Sequence, residues 1–231
     1  MGADRNTRIG DEIATVEGVV YTAIRDRIVR NAVEPGTVLA LAAIADELGV
    51  STMPVRAALA RLKTEGLVIQ SPRRGSTVAP ATLDDLEEIQ AVRTGLEGHA
   101  ARLGVPKLDD DRIARMARTL KKIRTASRKL STPAKVNAFL QSEYQLHDDI
   151  FAAAGRRELF ELIRVHRLRA ERYVRLALQS GSNGFEADAD LQEELFNAAA
   201  DRDPDGAERA FRSILQWTVD FCAPLLKERD D

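Results

Sequence analysis

Gly49-Val50-Ser51-Thr52-Met53-Pro54-Val55-Arg56-Ala57-Ala58-Leu59-Ala60-Arg61-Leu62-Lys63-Thr64-Glu65-Gly66-Leu67 is the stretch on which the reading of this chain turns. Gly49-Val50 suits a tight turn, and Ser51 is placed to cap a helix by accepting an orphan backbone N–H on its hydroxyl. Pro54 falls in the first helical turn, where a missing N–H breaks no hydrogen bond. Val55, Ala58, Leu59 and Leu62 recur at i, i+3, i+4 and i+7 and form one apolar face. Thr52, Met53, Arg56, Ala60 and Lys63 fall on the other side. Small side chains beside positive charge suit close approach to a phosphate-lined groove, as a DNA-reading helix requires.

Working outward, Val19 to Asn31 carries Val20, Ala23, Ile24 and Ile28 at helical spacing, and Pro35-Gly36 breaks the chain. A short helix over Leu41 to Leu48 turns Ile44, Ala45 and Leu48 inward, so the two helices around Gly49-Val50-Ser51 make a helix-turn-helix. Leu67-Val68-Ile69-Gln70 and Ser76-Thr77-Val78-Ala79 are β-prone and flank Ser71-Pro72-Arg73-Arg74-Gly75, which reads as a hairpin tip. The combination is a winged helix with two arginines at the wing tip. From Ser51 to Val78 there are five basic residues (Arg56, Arg61, Lys63, Arg73, Arg74) against the single acid Glu65. That local surplus can anchor phosphates although the whole chain has a formal net charge of −2. Arg61 points partly away from the groove face.

Val33-Glu34-Pro35-Gly36, Ile44 to Ser51, Pro54 to Leu59, Arg61-Leu62, Glu65-Gly66-Leu67 and Gly75-Ser76-Thr77-Val78 agree in order with one family. Residues 17–80 resemble the winged-helix domain of GntR-family bacterial transcription regulators. The resemblance implies that Arg56 and the wing residues Arg74 and Gly75 contact DNA. Ser51, Thr52, Met53, Lys63 and Arg73 complete the DNA-binding candidates. Family members commonly carry arginine where this chain has Thr52, which lacks the guanidinium fork that reads guanine best. A shifted operator preference is the expected consequence.

The 231 residues fit two domains of unequal size, and 44% hydrophobic content supplies two cores. The single cysteine, Cys222, excludes a disulfide framework and a cysteine-rich zinc site, and fits a reducing cytoplasm. No uninterrupted apolar run approaches a membrane span, so no membrane partner is expected. Residues 1–16, polar and without a signal peptide's apolar centre, read as a flexible tail. Aromatic residues are 5% of the chain and none interleaves with the basic cluster, which argues against a stacking-based single-strand binder.

After Pro80 the periodicity is helical throughout, with segments near 83–103, 109–130, 133–154, 157–179, 186–201 and 204–227. Short connections imply an antiparallel all-α bundle over 81–228. Polar residues stand on its apolar stripes: Arg93 with Glu97 one turn on, Glu143 and His147 at i, i+4, His166, and Gln192 beside Leu195 and Phe196. A buried charge needs a partner, so these groups either satisfy one another or line a polar cavity. Arg93 can pair internally with Glu97 or Glu143, and His166 alone can be a packing residue.

Ile89-Gln90-Ala91-Val92-Arg93-Thr94-Gly95-Leu96-Glu97, Glu143 to His147, and Ala198 to Ala207 make residues 83–225 similar to the FCD effector domain of the FadR branch of the GntR family. That resemblance implies a ligand cavity and a homodimer. In many such domains an Asp and three His hold a divalent metal that helps bind a carboxylate effector, and Arg93 matches an arginine near the effector. Here Glu143 stands at the Asp position and His147 at the first His. Gln192 and Ile214 stand at the other two, and neither suits a transition metal. With three histidines in all, and His99 facing outward, only Glu143, His147 and His166 could make a weak alternative site. The expectation is a metal-free pocket without cofactor, drawn from Arg93, Glu143, His147, His166 and Gln192. Its ligand is expected to be an organic acid because of Arg93.

The reading is a mainly α, ligand-responsive regulator, a repressor in expectation, that binds a double-stranded inverted-repeat operator as a dimer. An enzyme on the bundle is the rival from another class. No ExxH pair, nucleophile elbow or phosphate-binding glycine loop supports it, so no catalytic residue is expected. An effector-blind DNA-binding protein is the other rival.

Overall fold

The computed structural model describes residues 15–71, 75–128, 130–180 and 184–230. The chain divides into two compact units, one ending at Pro80 and the other beginning at Ala81. In the first, α1 (Val16–Val29), α2 (Leu41–Leu48) and α3 (Thr52–Thr64) precede a hairpin of β1 (Val68–Ser71) and β2 (Gly75–Val78). Helix α1 begins earlier than its apolar spacing indicates, because the Thr15 hydroxyl accepts the Gly18 N–H and caps it. Gly49, with φ of 65°, closes α2 in the left-handed region that disfavours a side chain. Ser51 holds the N-cap position of α3 in extended backbone, but its hydroxyl makes no capping hydrogen bond, contrary to the sequence reading.

Both α1 and α2 pack on α3. Val20, Ile24, Ile28, Val55, Leu59, Leu62 and Leu67 are buried at their centre. Each such aliphatic side chain contributes roughly 1.5–3 kcal/mol relative to exposure, enough to hold helices as short as α2. The strands pair antiparallel from Val68↔Val78 to Ser71↔Gly75. The segment after Pro35 does more than break the chain. Val38 bridges to Thr77, and the Leu39 N–H donates to the Ser76 carbonyl at 2.8 Å. The outer edge of β2 is thereby paired, and the wing is tied back to the body of the unit.

The second unit is built from α4 (Leu83–Gly104), α5 (Asp110–Ser127), α6 (Pro133–Ala154), α7 (Arg157–Gln179), α8 (Phe185–Ala200) and α9 (Pro204–Asp230), with a 3-10 turn at Val105–Lys107. Helix α4 packs against α9, α7 and α6, while α5 packs on α6 and α8, and α8 on α9. Side-chain caps at Thr82, Asp109 and Thr132 start α4, α5 and α6. Gly155, at φ of 67°, ends α6. Gly104 permits the close approach of α4 to α6, since a Cβ there would stand 2.1 Å from the Ile150 carbonyl oxygen. Leu86, Ile89, Phe139, Leu146, Ile150, Ile163, Leu195 and Phe211 fill a continuous core. Among the described residues, no helix is long and apolar enough to cross a membrane.

Candidate functional site

Two surfaces carry chemistry, one in each unit. On α3 the apolar face is buried, with Val55, Ala58, Leu59 and Leu62 turned inward as their spacing requires. Ser51, Thr52, Met53, Arg56, Ala60 and Lys63 are exposed. Met53 is 71% exposed, unusual for a large apolar side chain and suited to a partner's surface. Among the described residues Arg56 has no ion-pair or hydrogen-bond partner. Arg61 is committed to structure: its Nε donates to Glu65 Oε1 at 3.0 Å, and its guanidinium lies 3.7 Å from the centre of the Tyr21 ring. Lys63 reaches Gln70 Oε1 on β1 at 3.5 Å, so its charge sits at the junction of α3 and wing. Gly75 opens β2 with φ of 70°, a value that favours glycine. Arg73 and Arg74 lie outside the described residues.

In the helical unit, a cavity enclosing about 50 Å³ is lined by Arg93, Glu143, Tyr144, His147, Arg167, Asp188, Gln192, Ile214 and other side chains. Four of the five effector candidates therefore meet: Arg93 from α4, Glu143 and His147 from α6, and Gln192 from α8. His166 does not. Its Nδ1 bonds the Leu162 carbonyl on its own helix at 2.9 Å, and it is absent from the lining. The alternative metal set of Glu143, His147 and His166 is thus not assembled. Among the described residues, no three His, Cys, Asp or Glu side chains are grouped to hold a metal ion. Ile214 in the lining presents only hydrocarbon, which cannot bind a metal.

Arg93 is spoken for. Its Nε donates to Glu97 Oε1 at 2.7 Å and its Nη1 to Gln90 Oε1 at 2.9 Å. Burial opposes the charge on Glu97, yet Arg93 foremost and then Arg167 hold its carboxyl below the usual range. The expectation that Arg93 offers a free positive charge to an anion is corrected by this ion pair. Gln192 is the hub instead. Its Nε2 donates to Glu143 Oε1 at 3.1 Å and to Asp188 Oδ1 at 3.4 Å, and its Oε1 lies 2.8 Å from His147 Nε2. An amide that donates to two carboxyls presents its oxygen to the imidazole, so His147 carries its proton on Nε2 and leaves Nδ1 a bare acceptor. Burial foremost, then the charge of Arg167, lowers the His147 pKa to about 4 and keeps the ring neutral.

Glu143 and Asp188 stand within hydrogen-bonding reach of one another, and burial raises both carboxyls. Two adjacent buried carboxyls resist joint ionisation. Arg167 on α7 completes the wall. Its Nη1 donates to Asp148 Oδ1 at 2.8 Å, and its guanidinium packs over Tyr144 and Phe151. Among the described residues its Nε and Nη2 are buried without a partner. These two N–H groups lie on one edge of the guanidinium and form the fork that binds a carboxylate in bidentate fashion.

Residues 17–78 match "Bacterial regulatory proteins, gntR family", and residues 88–216 match the FCD domain. The chain belongs to the GntR family. An HTH-type transcriptional regulator of Agrobacterium vitis is 40% identical over 94 residues, 40% of this chain and 55% of that relative. The chain thus spans about half the length of that relative. The HTH-type transcriptional repressor RspR of Escherichia coli K12 is 23% identical over 92% of this chain and 91% of its own. The solved structure of Escherichia coli McbR/YncC shares the fold, with a TM-score of 0.75 and 21% identity over 94% of this chain and 99% of that one. This GntR-family chain thus carries a GntR-type winged helix followed by an FCD domain.

Within the FCD domain, sequence reading does not single out Arg167 or Asp188. A signal for both exists. Ile163, Arg167, Ala170 and Val174 follow one stripe of α7, and Phe185, Asp188, Ala189, Gln192 and Leu195 one stripe of α8. Asp188 lies in the first turn of α8, where a polar residue passes for an ordinary helix start.

Proposed function

We propose that this protein is a repressor that binds an inverted-repeat operator as a homodimer and answers to a small organic acid held in the cavity of its FCD domain. On the DNA side the reading rests on α3, where Arg56 and Thr52 stand exposed beside small side chains. The two-fold symmetry of a dimer presents two such helices to successive major grooves. RspR, related along nearly the whole length, is named a repressor. On the ligand side the carrying observation is Arg167, a lining residue of the cavity whose Nε and Nη2 are buried without a partner among the described residues. A buried guanidinium edge without an acceptor is unfavourable by roughly 1–3 kcal/mol, which a carboxylate relieves. The donor set does not favour a metal, because His147 Nε2 is held by Gln192 and Ile214 donates nothing. Ligand alters DNA affinity only by binding one dimer arrangement better than the other.

The test is fluorescence anisotropy on an operator selected from genomic fragments, with light scattering for the oligomeric state. Arg56→Ala is expected to weaken operator binding by about 1–3 kcal/mol. A panel of small carboxylates should shift operator affinity in wild-type protein and not in Arg167→Gln. Full binding by Arg56→Ala, or identical carboxylate responses in both proteins, refutes the corresponding half of the proposal.

A further inference from the structure

The cavity wall holds an unusual concentration of unmet hydrogen-bonding capacity, and its polarity is specific. Among the described residues, seven buried side-chain polar atoms lack a partner, and four of them belong to three lining residues: His147, Arg167 and Asp188. Two are donors, Nε and Nη2 of Arg167. The other two are acceptors, His147 Nδ1 and Asp188 Oδ2. All three residues are at least nine-tenths buried. Native interiors leave few polar groups unsatisfied, so a cluster with donors on α7 and acceptors on α6 and α8 describes the complement of an occupant.

The charges around the cavity sharpen the description. Arg93 is cancelled by Glu97, Arg167 by Asp148 and Arg175 by Glu171. His147, lowered to about 4, adds no positive charge, which leaves the adjacent Glu143 and Asp188 carboxyls as the acidic group without an ion-pair partner among the described residues. A simple monocarboxylate would bring a second negative charge into this buried site and would offer no donor to Asp188 Oδ2 or His147 Nδ1. A positively charged group beside those two acceptors meets both needs.

From these orphaned atoms we infer that the effector is a small amino acid, with its carboxylate on the Nε–Nη2 edge of Arg167 and its ammonium on Asp188 Oδ2 and His147 Nδ1. The inference rests on the carboxylate reading above and adds the second, cationic half of the ligand. A cavity of about 50 Å³ has room for a few waters, which restricts the occupant to the smallest side chains.

Matched probes separate the two readings by calorimetry and thermal shift on the full-length wild-type protein. Glycine, alanine, serine and β-alanine are compared at millimolar concentration with acetate, propionate and lactate, and with ethylamine. At least one amino acid is expected to bind about tenfold or more tightly than its deaminated carboxylate and than the amine, from two charge-assisted hydrogen bonds lost in each. Asp188→Asn should erase that preference while retaining the carboxylate's own affinity. Equal binding of carboxylate and amino acid overturns the zwitterion and leaves the organic-acid reading standing. Binding of neither class overturns both. Unchanged amino-acid preference in folded Asp188→Asn overturns the placement of the ammonium.

Discussion

Breaking the Arg93–Glu97 pair tests the correction on which the ligand assignment depends. If Arg93 is a structural cation, the carboxylate that neutralises it is indispensable and the pair behaves as one unit. Glu97 is fully buried, Arg93 is 7% exposed, and their contact is 2.7 Å. Removing one partner of such a pair costs on the order of 3–5 kcal/mol, because a desolvated charge is left behind. Glu97→Leu belongs at the lower end of that range, since Gln90 continues to bind Arg93 Nη1. About 3 kcal/mol in a chain of this size lowers the melting temperature by roughly 6–12 °C. Arg93→Met should destabilise comparably by stranding Glu97. The double variant should lie within about 1 kcal/mol of wild type, because both charges are then gone and the volume is kept. Urea unfolding of the four proteins gives the coupling energy directly. Additive losses in the double variant, or a Glu97→Leu shift under about 2 °C, would refute the ion pair and return Arg93 to the ligand.

Three further outcomes are expected. Burial raises Glu143 and Asp188, so the stability linked to their protons is present at acid pH and lost as pH rises through their folded values; His147, lowered to about 4, acts in the opposite sense, losing stability as pH falls from its ordinary 6.5. Glu143→Gln removes the Glu143 share of the first effect, so its melting temperature should gain on wild type as pH rises above the ordinary carboxylate range, and a pH-independent difference would contradict a raised Glu143 carboxyl. Gly104→Ala should destabilise the FCD domain by more than 1 kcal/mol, roughly, because its Cβ collides with the rigid Ile150 carbonyl; an unchanged denaturation midpoint would refute that close approach. Arg61→Ala should leave operator affinity nearly intact relative to Arg56→Ala and lower thermal stability instead, since Arg61 holds Glu65 and Tyr21; equal losses of DNA binding would assign Arg61 to the interface.

Local signals carried most of the fold because helices are specified by short-range pattern. The turn at Gly49, the buried face of α3, the breaks before α6 and α9 and the hairpin on either side of residues 72–74 follow from residues a few positions apart. The start of α1 was less legible, since a single cap at Thr15 decides it. The pairing of Val38 with Thr77 was invisible in the sequence, because a partner 39 residues away leaves no local trace.

By itself the sequence determined the class of protein, its winged helix and helical bundle, and the convergence of Glu143, His147 and Gln192, since each stands on an apolar stripe that must face a core. It could not apportion the charges within that core. Arg93, Arg167 and His166 look alike as polar residues near inward stripes, and their fates depend on side chains from other helices. Tertiary structure gave Glu97 to Arg93, turned His166 onto its own backbone, brought Asp188 beside Glu143, and left one edge of Arg167 without an acceptor among the described residues. Electrostatic partnership in a buried site is set by distances of a few ångströms between separate helices, and periodicity along one helix carries no information about them.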